Sequence, residues 1–141
     1  DFTWSPDGLS LAFAQPDRVG IIELESSSQQ PLIDVLPLQT RQDWAWVPGV
    51  TWSPDSSILY SVAHTAPVGA LSPEESPQFD LVGIPIAGGT PITLATEVGM
   101  FAYPVIVSPS TCAISVTPIT ITGVRGAASL SATSCLLSPF L

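Results

Sequence analysis

The stretch Phe2-Thr3-Trp4-Ser5-Pro6-Asp7-Gly8 returns 48 residues later, counted from Trp4 to Trp52, as Val50-Thr51-Trp52-Ser53-Pro54-Asp55-Ser56. No other feature limits the fold as much. A repeated strand, turn and strand is one supersecondary unit that cannot bury its apolar face alone, so each copy must stack on a neighbour. The turn has a local mechanism. Pro6 sets φ near about −65° at the second position of a type I turn, Asp7 tolerates the third, and Gly8 takes the positive φ that follows, closing a hairpin with a bulge. Phe2 and Trp4 alternate before the turn, and Leu9, Leu11 and Phe13 alternate after it, the period of a strand with one buried face. In the second copy Pro54 and Asp55 keep their places but Ser56 replaces the glycine, so that turn is expected to be strained or of another type. A third, worn copy, Val107-Ser108-Pro109-Ser110-Thr111, aligns without gaps, with Ile114 and Val116 where Leu11 and Phe13 fall. Trp4, Asp7, Trp52 and Asp55 read as structural residues.

The rest of the chain supports short strands. With 15 Pro and 10 Gly among 141 residues, long helices are disfavoured, and 45% hydrophobic residues argue against general disorder. A formal charge of −9, with three Arg and no Lys, leaves little to neutralise phosphates. Nucleic acid and anionic membrane surfaces are therefore poor partners. No run approaches the roughly 18 apolar residues of a membrane span. The opening at Asp1-Phe2 does not resemble a signal peptide and reads as a cut edge. Every acidic residue lies at or before Glu97, and from Val98 onward Arg125 is the only charge. This last third is expected to be an altered or truncated end, an interface or a poorly folded tail. Cys112 and Cys135 permit one disulfide or are two small buried apolar residues; the spacing leaves both open. No spacing of Cys, His or carboxylates resembles a metal site, and no cofactor is implied.

Taken in order, the first hairpin is followed by a strand at Val19–Leu24, a polar turn at Ser26-Ser27-Ser28-Gln29-Gln30 and a short strand at Pro31-Leu32-Ile33. The second unit repeats the plan, with Ile58, Tyr60 and Val62 after its turn. An exposed loop is then inserted from Thr65 to Gln78, and a strand begins at Phe79. Gly88-Gly89 is expected to form a two-residue hairpin leading into Ile92-Thr93-Leu94. The domain reading is a first unit at 1–40, a second at 41–98 with the inserted loop 65–78, and an incomplete third unit and tail at 99–141. The fold class is all-β.

Trp-Ser-Pro-Asp-Gly followed by Leu-Ala-Phe, an Ile-rich strand and Gly-Gly resembles the repeat of TolB-like (WD40-like) β-propellers, without the Gly-His and Trp-Asp pairs of true WD repeats. The resemblance covers Phe2 to about Leu94 well and Tyr103 to Val116 weakly. It implies a partial β-propeller of about two and a half four-stranded antiparallel blades, with the segment before each motif turn as the innermost strand. Propellers typically close with four to eight blades. The chain is thus expected to be a fragment whose partners include the remaining blades, in a bacterial periplasmic or extracellular setting.

The function expected from this is a non-enzymatic protein- or peptide-interaction module. Two alternatives stand beside it: the gating propeller of a prolyl-oligopeptidase-type serine peptidase whose catalytic domain is not in this chain, and a degenerate fragment without independent function. No Gly-x-Ser-x-Gly elbow is present. Binding is expected on the face that carries the two longest connections, Asp43 to Gly49 and Thr65 to Gln78, because long loops on a rigid scaffold carry function. Trp44, Trp46, His64, Glu74 and Glu75 form that candidate rim, suited to a cationic or peptide-like partner. The competing reading packs Trp44 and Trp46 between units.

Overall fold

The computed structural model describes residues 1–38, 44–67, 69, 72, 75–76, 78–108, 113–118 and 131–132, with side chains as far as Ile106. The first sheet is a meander of β1 (Phe2–Trp4), β2 (Ser10–Gln15), β3 (Arg18–Glu23) and β4 (Ser28–Asp34), all antiparallel and in chain order. The second repeats it with β5 (Val50–Trp52), β6 (Ile58–His64), β7 (Phe79–Pro85) and β8 (Ile92–Ala95). A third, three-stranded sheet is ordered β11-β10-β9, from β9 (Ala102–Ser108), β10 (Ala113–Pro118) and β11 (Ser131–Ala132). Among the described residues the three sheets do not close into a ring or barrel.

The two tryptophans occupy the same register position. Trp4 pairs with Leu11 and Trp52 with Leu59, each the first strand residue before its turn paired with the same place after it. Their surroundings differ. Trp52 is 5% exposed and its indole Nε1 donates to Thr3 O of the first sheet at 3.0 Å, whereas Trp4 is 60% exposed. The small aliphatic residues Ala12, Ala14, Val19 and Ile21 of the first sheet share one buried cluster with Val50, Trp52 and Leu59 of the second. The sheets therefore stack face to face, with β5 lying against β1 and β2 on one side and β9 on the other. That position explains why β7, in the second sheet, is buried on both faces, while β4, at the outer edge of the first, is mostly exposed.

Both motif turns have one geometry. Gly8 N donates to Ser5 O and Ser56 N to Ser53 O, at 2.9 and 3.0 Å, and the hairpins are closed by Ser5 N to Ser10 O and Ser53 N to Ile58 O. Gly8 has φ 74° and Ser56 φ 60°. The serine thus adopts the glycine conformation, at a steric cost of order 1 kcal/mol. It gains one contact in exchange, since Asp7 N donates to Ser56 Oγ at 3.2 Å and ties the two turns together.

Three local expectations need correction. Gly88 and Gly89 have φ of 92° and 124°, but they do not make a two-residue hairpin. The turn bond runs from Gly88 N to Pro85 O, and pairing resumes only at Ile92. Pro91 has no N–H with which to extend the ladder outward. The polar run at 26–30 is not all turn, because β4 starts at Ser28. An edge strand exposed on both faces does not require apolar alternation. The third copy of the motif is not gapless in space: Ala113 pairs with Ser108 in the repeat register, then a bulge shifts Ile114 opposite Ile106. Hairpin register follows turn chemistry, and this copy lacks the aspartate and glycine of the first.

Candidate functional site

The carboxylates in the motif turns are occupied locally. Ser5 Oγ donates to Asp7 Oδ1 at 2.6 Å, and Leu9 N donates to the same oxygen at 2.9 Å. Ser53 Oγ and Ser57 N do the same for Asp55 Oδ1, at 2.6 and 3.2 Å, while Ser57 Oγ reaches both of its oxygens at 2.8 Å. The Ser5 hydroxyl first, then the Leu9 amide, hold the Asp7 carboxyl below the ordinary carboxylate range. For Asp55 the Ser53 hydroxyl leads, followed by the Ser57 hydroxyl and amide. The serines are the residues that motif reading undervalued. Ser5 and Ser53 are buried, and each also accepts a backbone N–H, from Ser10 and Ile58, at 2.9 Å. Their recurrence in all three copies, with Ser108 in the third, was the available signal.

At the other end of the units the two long connections meet. Leu36 N donates to His64 O at 3.3 Å, so the first connection passes the last residue of β6, where the inserted loop begins. That loop is closed at its base by Thr65 N to Gln78 O at 2.8 Å. Trp46 fills the space between them. Its ring lies edge-on to Phe79 at 5.1 Å and to His64 at 6.4 Å, and its Nε1 donates to Met100 O at 2.6 Å. His64 stacks on Phe79 at 4.6 Å. Its Nδ1 lies 3.1 Å from Leu36 O. A carbonyl can only accept, so Nδ1 is the donor there, and Nε2 is buried with no hydrogen-bond partner among the described residues.

Two members of the expected rim are consequently interior residues. Trp46 is 4% and His64 2% exposed, because both rings pack with Phe79 into an aromatic core under the connections. Trp44 is at the surface, 44% exposed. Glu75 is exposed within the inserted loop and receives a bond from Ser72 Oγ at 3.3 Å. Glu74 lies outside the described residues, as do Asp43, Cys112 and Cys135.

Next to this aromatic core lies a recess of about 420 Å³, where the segments leading into β1, β5 and β9 converge. Asp1 precedes β1, Trp44 to Gly49 precede β5, and Met100 and Phe101 precede β9. Exposed Trp44, Val47, Phe101 and Tyr103 make its walls apolar and aromatic. Asp1 supplies its carboxylate, held by the Tyr103 hydroxyl on Oδ2 at 2.9 Å and by Phe2 N on Oδ1 at 3.0 Å. Tyr103 also lies against Gly49, where any Cβ would overlap the ring, and its hydroxyl is 3.3 Å from Val50 O. Phe101 and Tyr103 were not anticipated. They sit in the worn third copy and come to the recess only because β9 packs beside β5.

Among the described residues no group of three or more His, Cys, Asp or Glu is gathered to hold a metal, and no helix is long and apolar enough to cross a membrane. The arrangement is a shallow aromatic recess with one carboxylate, capable of holding a cation with an apolar stem. Comparison with protein-family models, curated proteins and solved structures finds no match to this chain.

Proposed function

We propose that this chain is a non-enzymatic peptide- or protein-interaction module, built as part of a TolB-like β-propeller, and that its recess receives a basic side chain from a partner. The observation that carries this reading is the recess itself: exposed Trp44, Phe101 and Tyr103 surround the Asp1 carboxylate, in a chain whose net charge is −9. Aromatic faces attract ammonium and guanidinium groups by about 0.5–2 kcal/mol according to desolvation, and the aliphatic stem of Lys or Arg covers apolar wall. Binding residues carried on connections over a rigid sheet scaffold fit the same reading. The propeller reading adds further blades as neighbours and an exported or envelope-associated bacterial setting.

The test is a titration with capped tripeptides Gly-Arg-Gly, Gly-Lys-Gly and Gly-norleucine-Gly, following tryptophan fluorescence. The two basic peptides should bind weakly and saturably, with no binding of the norleucine peptide, and Trp44→Ala should abolish the response while thermal unfolding stays unchanged. Equal binding of all three, or an unaltered response in Trp44→Ala, sinks the proposal.

A further inference from the structure

At the motif-turn end of the inner strands, away from the aromatic recess, a second recess of about 370 Å³ straddles the junction of the two sheets. Asp7, Leu9, Glu23, Leu24 and Glu25 line it from the first sheet and Ile86 from the second. Hairpin register assembles it. Ser10 pairs with Glu23, and Leu24 N donates to Leu9 O at 3.1 Å, so the two leucines are neighbours across the hairpin. They are 68% and 41% exposed. Glu23 and Glu25 flank Leu24 in the chain and Asp7 stands two residues before Leu9, so an apolar strip is bracketed by carboxylates.

Among the described residues no basic side chain answers these charges, since Arg18 stands at the opposite end of β3 and is held by Asp17 at 2.6 Å. Nor are the carboxylates gathered closely enough to hold a metal ion. The second unit is built differently at the equivalent place. Ser10 pairs with Glu23 where Ile58 pairs with Pro85, which puts Pro85 in the position of Glu23 and Ala87 in that of Glu25. The acidic rim therefore belongs to this one junction and not to the repeat as such.

We propose that this recess binds a linear alkyl polyamine, with its ammonium groups on Asp7, Glu23 and Glu25 and its methylene stem along Leu9, Leu24 and Ile86. Separated carboxylates call for separated positive charges, and the exposed leucines call for an apolar stem between them. A compact divalent cation would leave the strip uncovered and needs converging oxygen ligands. An amine with one charge would leave carboxylates unanswered. The proposal is independent of the basic side chain assigned to the aromatic recess, which offers one carboxylate and shares no residue with this one.

The test is calorimetric titration of the full chain with spermidine, n-heptylamine and magnesium chloride at constant ionic strength. Spermidine should bind saturably at one site, and the monoamine and magnesium should bind more weakly. Glu23→Gln with Glu25→Gln should weaken spermidine binding about tenfold, the scale of two exposed ion pairs. Asp34→Asn with Glu75→Gln removes the same charge away from the recess and should leave the affinity unchanged, as should Trp44→Ala. An equal loss in the Asp34 and Glu75 variant overturns the proposal, because general attraction to the charge of −9 then suffices. Magnesium or n-heptylamine binding as tightly as spermidine also overturns it. Loss of spermidine binding in Trp44→Ala does so too, since the amine then sits in the aromatic recess.

Discussion

Trp4 and Trp52 are one residue type at one register position in two environments, so truncating each to alanine isolates what sheet stacking contributes. A tryptophan side chain buries up to about 250 Å². At 5% exposure Trp52 keeps nearly all of that out of water, and at 60% Trp4 keeps less than half. At about 25 cal/mol per Å² the transfer difference is about 3 kcal/mol in favour of Trp52, an upper figure because unfolded chains already bury some surface. Losing the indole donor also strands Thr3 O at the interface, adding about 1 kcal/mol. Trp52→Ala should thus cost about 3–5 kcal/mol, within the range for large aromatic truncations. Trp4→Ala should cost at most about 2.5 kcal/mol by the same area reckoning. Against a total of about 5–15 kcal/mol, the first loss is severe and the second mild. Urea unfolding followed by far-UV circular dichroism measures both, with the slope checked for two-state behaviour. Equal costs at the two positions would refute the argument, because they would mean that the contact between sheets does not stabilise the protein.

Ser56→Gly should raise stability by about 0.5–1 kcal/mol, since relief of the φ 60° conformation outweighs one exposed hydrogen bond, and Gly8→Ala should lower it by about 1–2 kcal/mol; midpoint shifts in urea decide both. Both motif carboxyls have folded pKa values below the unfolded one, so their stabilisation is fully present above the unfolded value of 3.8 and is lost as pH falls through the lower folded values. Asp7→Asn with Asp55→Asn should flatten the acid limb of a stability-against-pH curve, and an unchanged limb contradicts the assigned bonds. Gly49→Ala should displace the Tyr103 ring at a cost of about 1–3 kcal/mol and weaken basic-peptide binding as the recess loses a wall, measured by calorimetry. His64→Ala should cost about 2–4 kcal/mol and shift Trp46 emission to the red, because the stack on Phe79 is lost; an unshifted spectrum would place Trp46 elsewhere.

Much of the scaffold was legible because it is local. The Pro-Asp turn, the alternation around it and the recurrence of both within 48 residues predict two meanders, and each is found with the same strand order and pairing. The local role of Asp7 and Asp55 follows from the same short-range chemistry, since a carboxylate inside its own turn has backbone N–H groups within reach. Errors arose where local signals are weak or a neighbour decides. The polar start of β4 is carried by pairing to β3 rather than by its own composition, and the Gly-Gly pair permits several connections until Pro91 restricts them.

The candidate site was legible only in outline. Sequence alone identified the two long connections and their aromatic content, which depend on composition and length. Whether a given indole is wall or core depends on what stacks against it from other elements of the chain, and no local pattern encodes that. Trp46 is interior because Met100 O, His64 and Phe79 come to it; Trp44, two residues earlier, is at the surface. Trp4 and Trp52 are alike in sequence and unlike in burial for the same reason. The repeat thus determined the units and their turns by itself, while the tertiary stacking of β1, β5 and β9 decided which face is buried, which is open, and where the recess forms.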